Sequence, residues 1–161
     1  MLIGTTKYPP PIYFTELQRV SKNQIIWGGN YFPLPPTRCV ICWDKVQPWE
    51  NFSQWEMAWT SFDSPARIFK FDNRTGDKIP PTQKPIALYK WILQNYAKQG
   101  DKILDTHLGS MSSVIACLEM GFEIYGCETD SNYFKDGQKR VRNYLSEPEL
   151  FREPPIINFI S

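Results

Sequence analysis

The chain has 161 residues, of which 42% are hydrophobic and 22% charged, and a formal net charge of +1. That length suits a single domain able to bury roughly two-thirds of its unfolded surface, so no disulfide or metal staple is required. Near-neutral charge excludes an overall basic field that would hold DNA non-specifically, although it leaves room for a local basic patch. The opening "MLIGTTKYPPP" has no basic region followed by an apolar run. No apolar stretch approaches the roughly 20 residues of a membrane span. A cytoplasmic protein with reduced thiols and no membrane partner is therefore expected.

In chain order, "PPPIYFTELQRVSKN" predicts a short amphipathic helix that starts at prolines. "QIIWGG" reads as a strand and turn, "NYFPLPPTR" as a proline-broken loop and "CVICWD" as a buried strand. Cys39 and Cys42 form a C-x-x-C pair inside that strand. Residues three apart on a strand face opposite sides, which is poor geometry for one metal, so a structural role is expected for these cysteines and no metal site. Residues 44–58 are polar and aromatic, a loop with a helical turn, and "AWTSFDSPARIFKFD" alternates as one or two strands. After the exposed loop "NRTGDKIPPTQKP", "PIALYKWILQNYAKQG" predicts a helix with Leu88, Trp91, Ile92 and Tyr96 on one side. Then come a strand "KILD", a helix "SSVIACLEMG" stopped by Gly121, a strand "FEIYGCETD" and a helix "NYFKDGQKRVRNYLSE". The tail holds a candidate last strand over 156–160. From residue 85 the order α-β-α-β-α predicts a parallel sheet.

The stretch "ILDTHLGSMSS", residues 103–113, carries the chemistry. Ligands of open α/β sheets lie beyond the carboxyl ends of the strands, where Asp105 would stand. Gly109 would let backbone approach a ligand because it has no Cβ, and the helix that follows would aim its N-terminus there. Glu128 ends the second strand, at the distance where an acid holds a cofactor's ribose hydroxyls. One carboxylate can accept from two vicinal hydroxyls, which accounts for the residue type. The plainer reading is a βα turn with a capping serine and solvated acids. No G-x-G-x-x-G fingerprint and no glycine-lysine pair occurs here, which disfavours dinucleotides and ATP.

"DTHLGSMSS" resembles the D-x-F-x-G-S-G-x-T turn of S-adenosylmethionine-dependent DNA amino-methyltransferases, the adenine-N6/cytosine-N4 family. "PPTQKP" at 80–85 is similar to that family's P-T-Q-K-P segment, and "GCETDSNYF" to the strand that ends in its ribose-binding Glu. "SKNQIIWGGNYF" and "CVICWDK" look like the middle strands of phage and prophage members, in the circularly permuted order of one subclass. The resemblance runs from about residue 12 to 145. It implies an α/β fold, a Rossmann-like methyltransferase sheet with helices on both faces, in one domain spanning 1–161. It also implies S-adenosylmethionine as cofactor. Asp105, His107, Gly109 and Ser110 would line its adenosyl and methionine parts, with Glu128 on the ribose. Thr82, Gln83 and Lys84 would close over the methionine carboxylate. His107, the sole histidine, is expected to pack beside the cofactor and not to act as a base.

Two departures stand out. Met111 occupies the place of the second glycine of G-S-G, where a side chain would crowd the cofactor or twist the turn. The family's Asp/Asn/Ser-Pro-Pro-aromatic catalytic motif does not occur in the 161 residues; "YPPPIY" at 8–13 has Ile12 where an aromatic should follow. Its strand would neighbour "KILD", so the sheet is expected to be incomplete at the catalytic strand and to be completed by a second copy or a partner chain. DNA would be met by Lys45, Trp49, Trp55, Arg67, Lys70, Arg74 and Lys78, within a loop-rich insert over 44–80. The expected function is an adenine-N6 DNA methyltransferase, truncated and weakly active or inactive alone. The alternatives are a non-catalytic remnant that binds cofactor or DNA, and a subunit whose partner supplies the catalytic loop.

Overall fold

The computed structural model describes residues 9–72 and 83–146. Arg74, Lys78, Thr82, the opening "MLIGTT" and the candidate strand over 156–160 lie outside them. The chain divides into two compact units, Met1–Gly76 and Asp77–Ser161.

In the first unit, helix α1 (Pro11–Val20) starts with proline in its first turn, where a missing N–H costs nothing. It forms where its pattern predicts but fully buries no residue. Strands β1 (Ile25–Trp27), β2 (Val40–Asp44), β3 (Trp55–Thr60) and β4 (Arg67–Lys70) follow. They make one sheet in the order β1-β3-β2-β4, with β3 antiparallel to both its neighbours and β4 parallel to β2. β2 is buried on one face only. Ile41 and Trp43 are buried while Val40, Cys42 and Asp44 between them are half-buried. Cys39 lies on the buried side, where the Ser64 hydroxyl donates to its sulfur, and Cys42 lies on the other.

The polar tips of the buried aromatics are satisfied, as a low-dielectric interior demands. Trp43 Nε1 donates to the Phe71 carbonyl at 3.2 Å and Trp59 Nε1 to that of Pro35 at 2.7 Å. The loop expected over 44–58 is shorter than the sequence suggested. β3 already begins at Trp55, because Asp44 pairs with Trp55 and Lys45 N–H donates to the Gln54 carbonyl.

In the second unit, α2 (Ile86–Tyr96), β5 (Lys102–Asp105), α3 (Ser112–Met120), β6 (Glu123–Gly126) and α4 (Ser131–Ser146) keep the predicted order. β5 and β6 pair in parallel, with Ile103 opposite Ile124. α3 is the centre of the unit. Residues 112–117 are all buried, which marks a helix enclosed on every side through its first two turns. Its C-terminus is set by Gly121 at φ 71, whose N–H and that of Phe122 both return to the Cys117 carbonyl. Glu119 is gripped by Lys90 of α2 and by the Tyr144 hydroxyl of α4, which ties the three helices together.

α2 buries Leu88 and Leu93, and Ile86, Tyr89 and Ala97 pack beside them against α3. Of the side expected from the sequence, Leu88 is buried, but Trp91, Ile92 and Tyr96 are only half-buried and Leu93 is buried instead. Tryptophan and tyrosine weigh heavily in an apolar pattern, yet they sit comfortably half-exposed. The helices pack over the Ile103–Ile124 face of the strand pair. On the opposite face Leu104 is 44% and Tyr125 46% exposed, whereas the sequence reading expected helices on both. Hydrogen bonding thus gives two sheets among the described residues, one mixed and one parallel, in a mixed α/β protein.

Candidate functional site

The turn between β5 and α3 is built from its neighbours' side chains. The strand ladder continues past β5 and β6, with Cys127 N–H donating to the Asp105 carbonyl and Leu108 N–H to that of Cys127. Leu108 is thereby pinned inward as core, and residues 109–111 must reverse the chain to start α3. They do so through two left-handed residues, Gly109 at φ 48 and Met111 at φ 58. Glycine takes that conformation freely; methionine pays about 1–2 kcal/mol.

The expected crowding by Met111 is not what the structure shows. The Met111 side chain is fully buried beneath the turn, among Leu108, Val114, Ile115 and Val141. Gly137 of α4 makes room for it: a Cβ there would lie 2.7 Å from Met111 Cγ and 3.1 Å from the Gly109 carbonyl oxygen. Met111 therefore twists the turn and fills the core below it.

The acids sit at the strand ends as expected from the pattern. Asp105 accepts from the His107 N–H at 3.0 Å and from the Ser113 hydroxyl. Glu128 accepts from the Gly109 N–H at 2.8 Å through one oxygen and from the Asp130 N–H at 2.9 Å through the other. An ionised carboxylate has about four lone-pair positions, so each oxygen of Glu128 keeps capacity for a further donor such as a hydroxyl. Asp130 in turn accepts from the N–H groups of Asn132 and Tyr133 and caps α4. His107 is exposed, with Nδ1 3.0 Å from the Thr106 hydroxyl.

The P-T-Q-K-P segment reaches the same turn through Gln83. Arg140 can only donate, so the amide oxygen of Gln83 faces it and accepts from Nη1 at 2.7 Å and Nη2 at 2.9 Å. Arg140 Nη1 also donates to the Ser110 carbonyl at 2.7 Å and lies 2.9 Å from the Ser112 hydroxyl. Ser110 and Ser112 hydroxyls are themselves 3.2 Å apart. Arg140 and Ser113 were not singled out in the sequence. Ser113 stood within the motif, but Arg140 had no local signal beyond one charge on an amphipathic helix. Lys84 is half-buried.

Burial works against the thiolate form of three cysteines, two in this unit and Cys42 in the first. Burial, helped by the Asp105 carboxylate, pushes the Cys117 thiol up to about 12. Cys127 is raised by burial and then by Asp105 and Glu128, and Cys42 by burial and then by Asp44.

Of the residues expected to meet DNA, Trp49 and Trp55 are 53% and 52% exposed, and Arg67 and Lys70 are exposed. Lys45 is turned inward. It is 8% exposed, with Nζ 2.7 Å from Glu56 and 5.3 Å from the Trp43 ring centre.

A carboxylate at each of two parallel strand ends, joined by a glycine turn into a helix, is the layout of a cofactor-binding α/β unit. The family model described as DNA methylase, for N6/N4 methyltransferases, matches residues 19–139, most of the chain. The chain belongs to the N6/N4 DNA methylase family. Among curated members, the DNA adenine methyltransferase YhdJ of Escherichia coli K12 is 38% identical over 72 residues, 44% of this chain and 24% of that protein. The type II methyltransferase M2.DpnII of Streptococcus pneumoniae is 34% identical over 61 residues, 38% of this chain and 23% of its own length. The matches to these relatives thus span about a quarter of their length. In fold, this DNA methylase family member is similar to M1.HpyAVI, solved as a complex with SAM. The TM-score is 0.50 at 23% identity, over 63% of this chain and 60% of that one. Among the described residues no helix is long and apolar enough to cross a membrane, and no cluster of three or more His, Cys, Asp or Glu could hold a metal.

Proposed function

We propose that the chain binds S-adenosylmethionine at the β5–α3 turn and serves methyl transfer to an exocyclic base amine in DNA, at adenine N6 before cytosine N4. The observation that carries this reading is the pair of strand-end acids bridged by the turn, with Glu128 bonded to the Gly109 N–H. The donor set suits the cofactor. Glu128 retains acceptor positions for two ribose hydroxyls, and Gly109 offers a backbone without a side chain in the way. Asp105, His107 and Ser110 line the remainder, and Thr82, Gln83 and Lys84 provide donors and a positive charge for a carboxylate. The cofactor would supply an electrophilic methyl on a sulfonium, and the chain's residues would orient it. Exposed Trp49, Trp55, Arg67 and Lys70, with Arg74 and Lys78, give the DNA a stacking and phosphate-binding surface, and Lys45 stiffens the hairpin that carries Trp49.

The chain is of the phage and prophage type in permuted order. It takes a catalytic Pro-Pro-aromatic loop from a partner chain or a further segment, because the motif that would hold the target amine in line with the methyl does not occur in these 161 residues. What favours the partner reading is the β5 strand, which pairs only with β6 among the described residues.

Calorimetric titration with S-adenosylhomocysteine tests the site. Binding is expected, and Glu128→Ala should weaken it by about 1–3 kcal/mol, the worth of hydrogen bonds to a charged acceptor. Equal affinity in that variant removes the ribose assignment. In a radiolabelled methyl-transfer assay on unmethylated DNA the 161-residue chain should show little turnover, and robust turnover by a monomer overturns the need for a supplied loop.

A further inference from the structure

We infer that Arg140 is a positioning residue that holds the β5–α3 turn in its cofactor-receiving shape before any ligand arrives, and that it does so jointly with Gln83. The inference rests on the reading of that turn as the cofactor site. Within the turn the Met111 N–H closes a backbone bond to the Leu108 carbonyl at 2.7 Å, while the Gly109 N–H and the Ser110 carbonyl, flanked by two left-handed residues, go to side chains. Two side chains of opposite charge take over. Glu128, from the end of β6, accepts from the Gly109 N–H, and Arg140, from the third turn of α4, donates to the Ser110 carbonyl. The turn is clamped on its N–H side by an acid and on its C=O side by a base. Arg140 then reaches Gln83 with both terminal nitrogens and Ser112 with one, so a single planar guanidinium joins the P-T-Q-K-P segment to the first residue of α3. Nη1 alone meets Gln83, Ser110 and Ser112, and Nη2 adds a second bond to Gln83; a lysine ammonium has one nitrogen and cannot supply that second arm of the fork.

Arg140 already spends these donors on the protein, so its effect on a ligand is indirect. Glu128 is the clamp that also faces the ligand, and Arg140 is the one that keeps Glu128's partner in place. Two consequences distinguish this from a general contribution to folding. Removing either Arg140 or Gln83 should loosen the same turn, so their effects should not multiply. The loosening should also be confined to the turn, because α4 is anchored separately by Val141 in the core and by Tyr144 on Glu119.

The test uses the full chain, with S-adenosylhomocysteine as probe, in the parent, Arg140→Lys, Gln83→Ala and the double variant. Arg140→Lys should weaken binding by about 5–20-fold, the range expected for charge-assisted hydrogen bonds lost at second hand, and Gln83→Ala by at least as much, because it also removes an amide proposed to meet the cofactor carboxylate. The double variant should lie within about twofold of the weaker single one, as members of one network do. In the ligand-free protein, amide hydrogen exchange across residues 106–113 should speed up in Arg140→Lys while α2 and β6 keep the parent's rates. Unchanged local exchange overturns the proposal, and so does exchange that rises throughout the unit, which would make Arg140 a general folding residue. Multiplying single effects overturn the joint action with Gln83. If the parent does not bind the probe, the cofactor reading fails while the exchange experiment still decides the clamp.

Discussion

Among the described residues each of the two units holds one non-glycine residue in the left-handed region, and the two are stabilised in opposite ways. Met111, at φ 58 in the β5–α3 turn, is fully buried and packs into the core of its unit. Val46, at φ 50 just after β2, is 47% exposed, with its N–H taken by the Asp44 carboxylate at 2.9 Å. A β-branched residue is the worst suited to that conformation, and Asp44 compensates by an Asx turn. In one unit a strained backbone is offset by hydrophobic burial, in the other by a local polar contact. Burial is the stronger of the two by about 1.5- to 3-fold, since a buried side chain contributes about 1.5–3 kcal/mol and a hydrogen bond about 1. The turn that carries the candidate site is thus held from below by Met111 and from the sides by Glu128 and Arg140, while Val46, in the hairpin beside the exposed tryptophans, sits at the surface with its N–H on Asp44.

The sharpest way to break that comparison is at Met111. Met111→Ala should destabilise the protein by about 2–4 kcal/mol in chemical denaturation, the usual loss for truncating a buried methionine. Met111→Gly removes still more of the side chain, yet it should be about 1 kcal/mol more stable than the alanine variant, because glycine alone is free of the left-handed penalty. Normally the order of those two substitutions is the reverse. An alanine variant as stable as the glycine one, or more so, would show that the turn carries no strain and that Met111 acts by packing alone.

A smaller effect is expected at Lys45, the residue before Val46. Its side chain is 10% and that of Glu56 30% exposed, an ion pair mostly withdrawn from water. Lys45→Met should cost about 1–3 kcal/mol, below the 3–5 of a fully buried pair because Glu56 keeps partial solvation. Lys45→Met with Glu56→Leu should recover most of that loss, since both charges are then gone. A loss under a few tenths of a kcal/mol in the single variant would mean that Lys45 is free to reach outward after all. The DNA-facing surface would then gain a cation.

How much of this was legible in the sequence follows the same physics. The second unit's five elements could be read in order, because its helices carry local stop signals such as Gly121 and its strands end in acids before a turn. The motif residues Asp105, Gly109 and Glu128 could likewise be read, and the structure brings them together across one turn. What periodicity could not give was which stripe of α2 faces α3, because Trp91 and Leu93 are equally apolar and only the partner helix chooses between them. Nor could it give the partners of charges. Lys45 looked available and is paired with Glu56, an adjacency that exists only once β2 and β3 are in register. Arg140 looked like one more solvated cation and holds the turn, 30 residues from the carbonyl it bonds. Side-chain pairing across such distances is created by the fold, and a single sequence contains no local trace of it.

The smallest effect, and the one that most directly sharpens the contrast between the two strained residues, is at Val46. If its conformation is sustained only by a polar contact, a residue that tolerates the left-handed region should be better there than valine. Val46→Asn keeps the backbone N–H for the Asp44 carboxylate, loses little packing because the valine is half-exposed, and lowers the steric penalty. A gain of about 0.5–1 kcal/mol in denaturant midpoint analysis is expected, with no change in slope. Val46→Gly should gain less, because glycine also loses more conformational freedom on folding. Asparagine therefore should exceed glycine at 46, whereas at 111 glycine should exceed alanine, and the two orders together separate strain relieved at a surface from strain relieved over a core. A loss of stability in Val46→Asn would mean that the valine side chain packs productively in the hairpin, and the two units would then stabilise their strained residues by the same means.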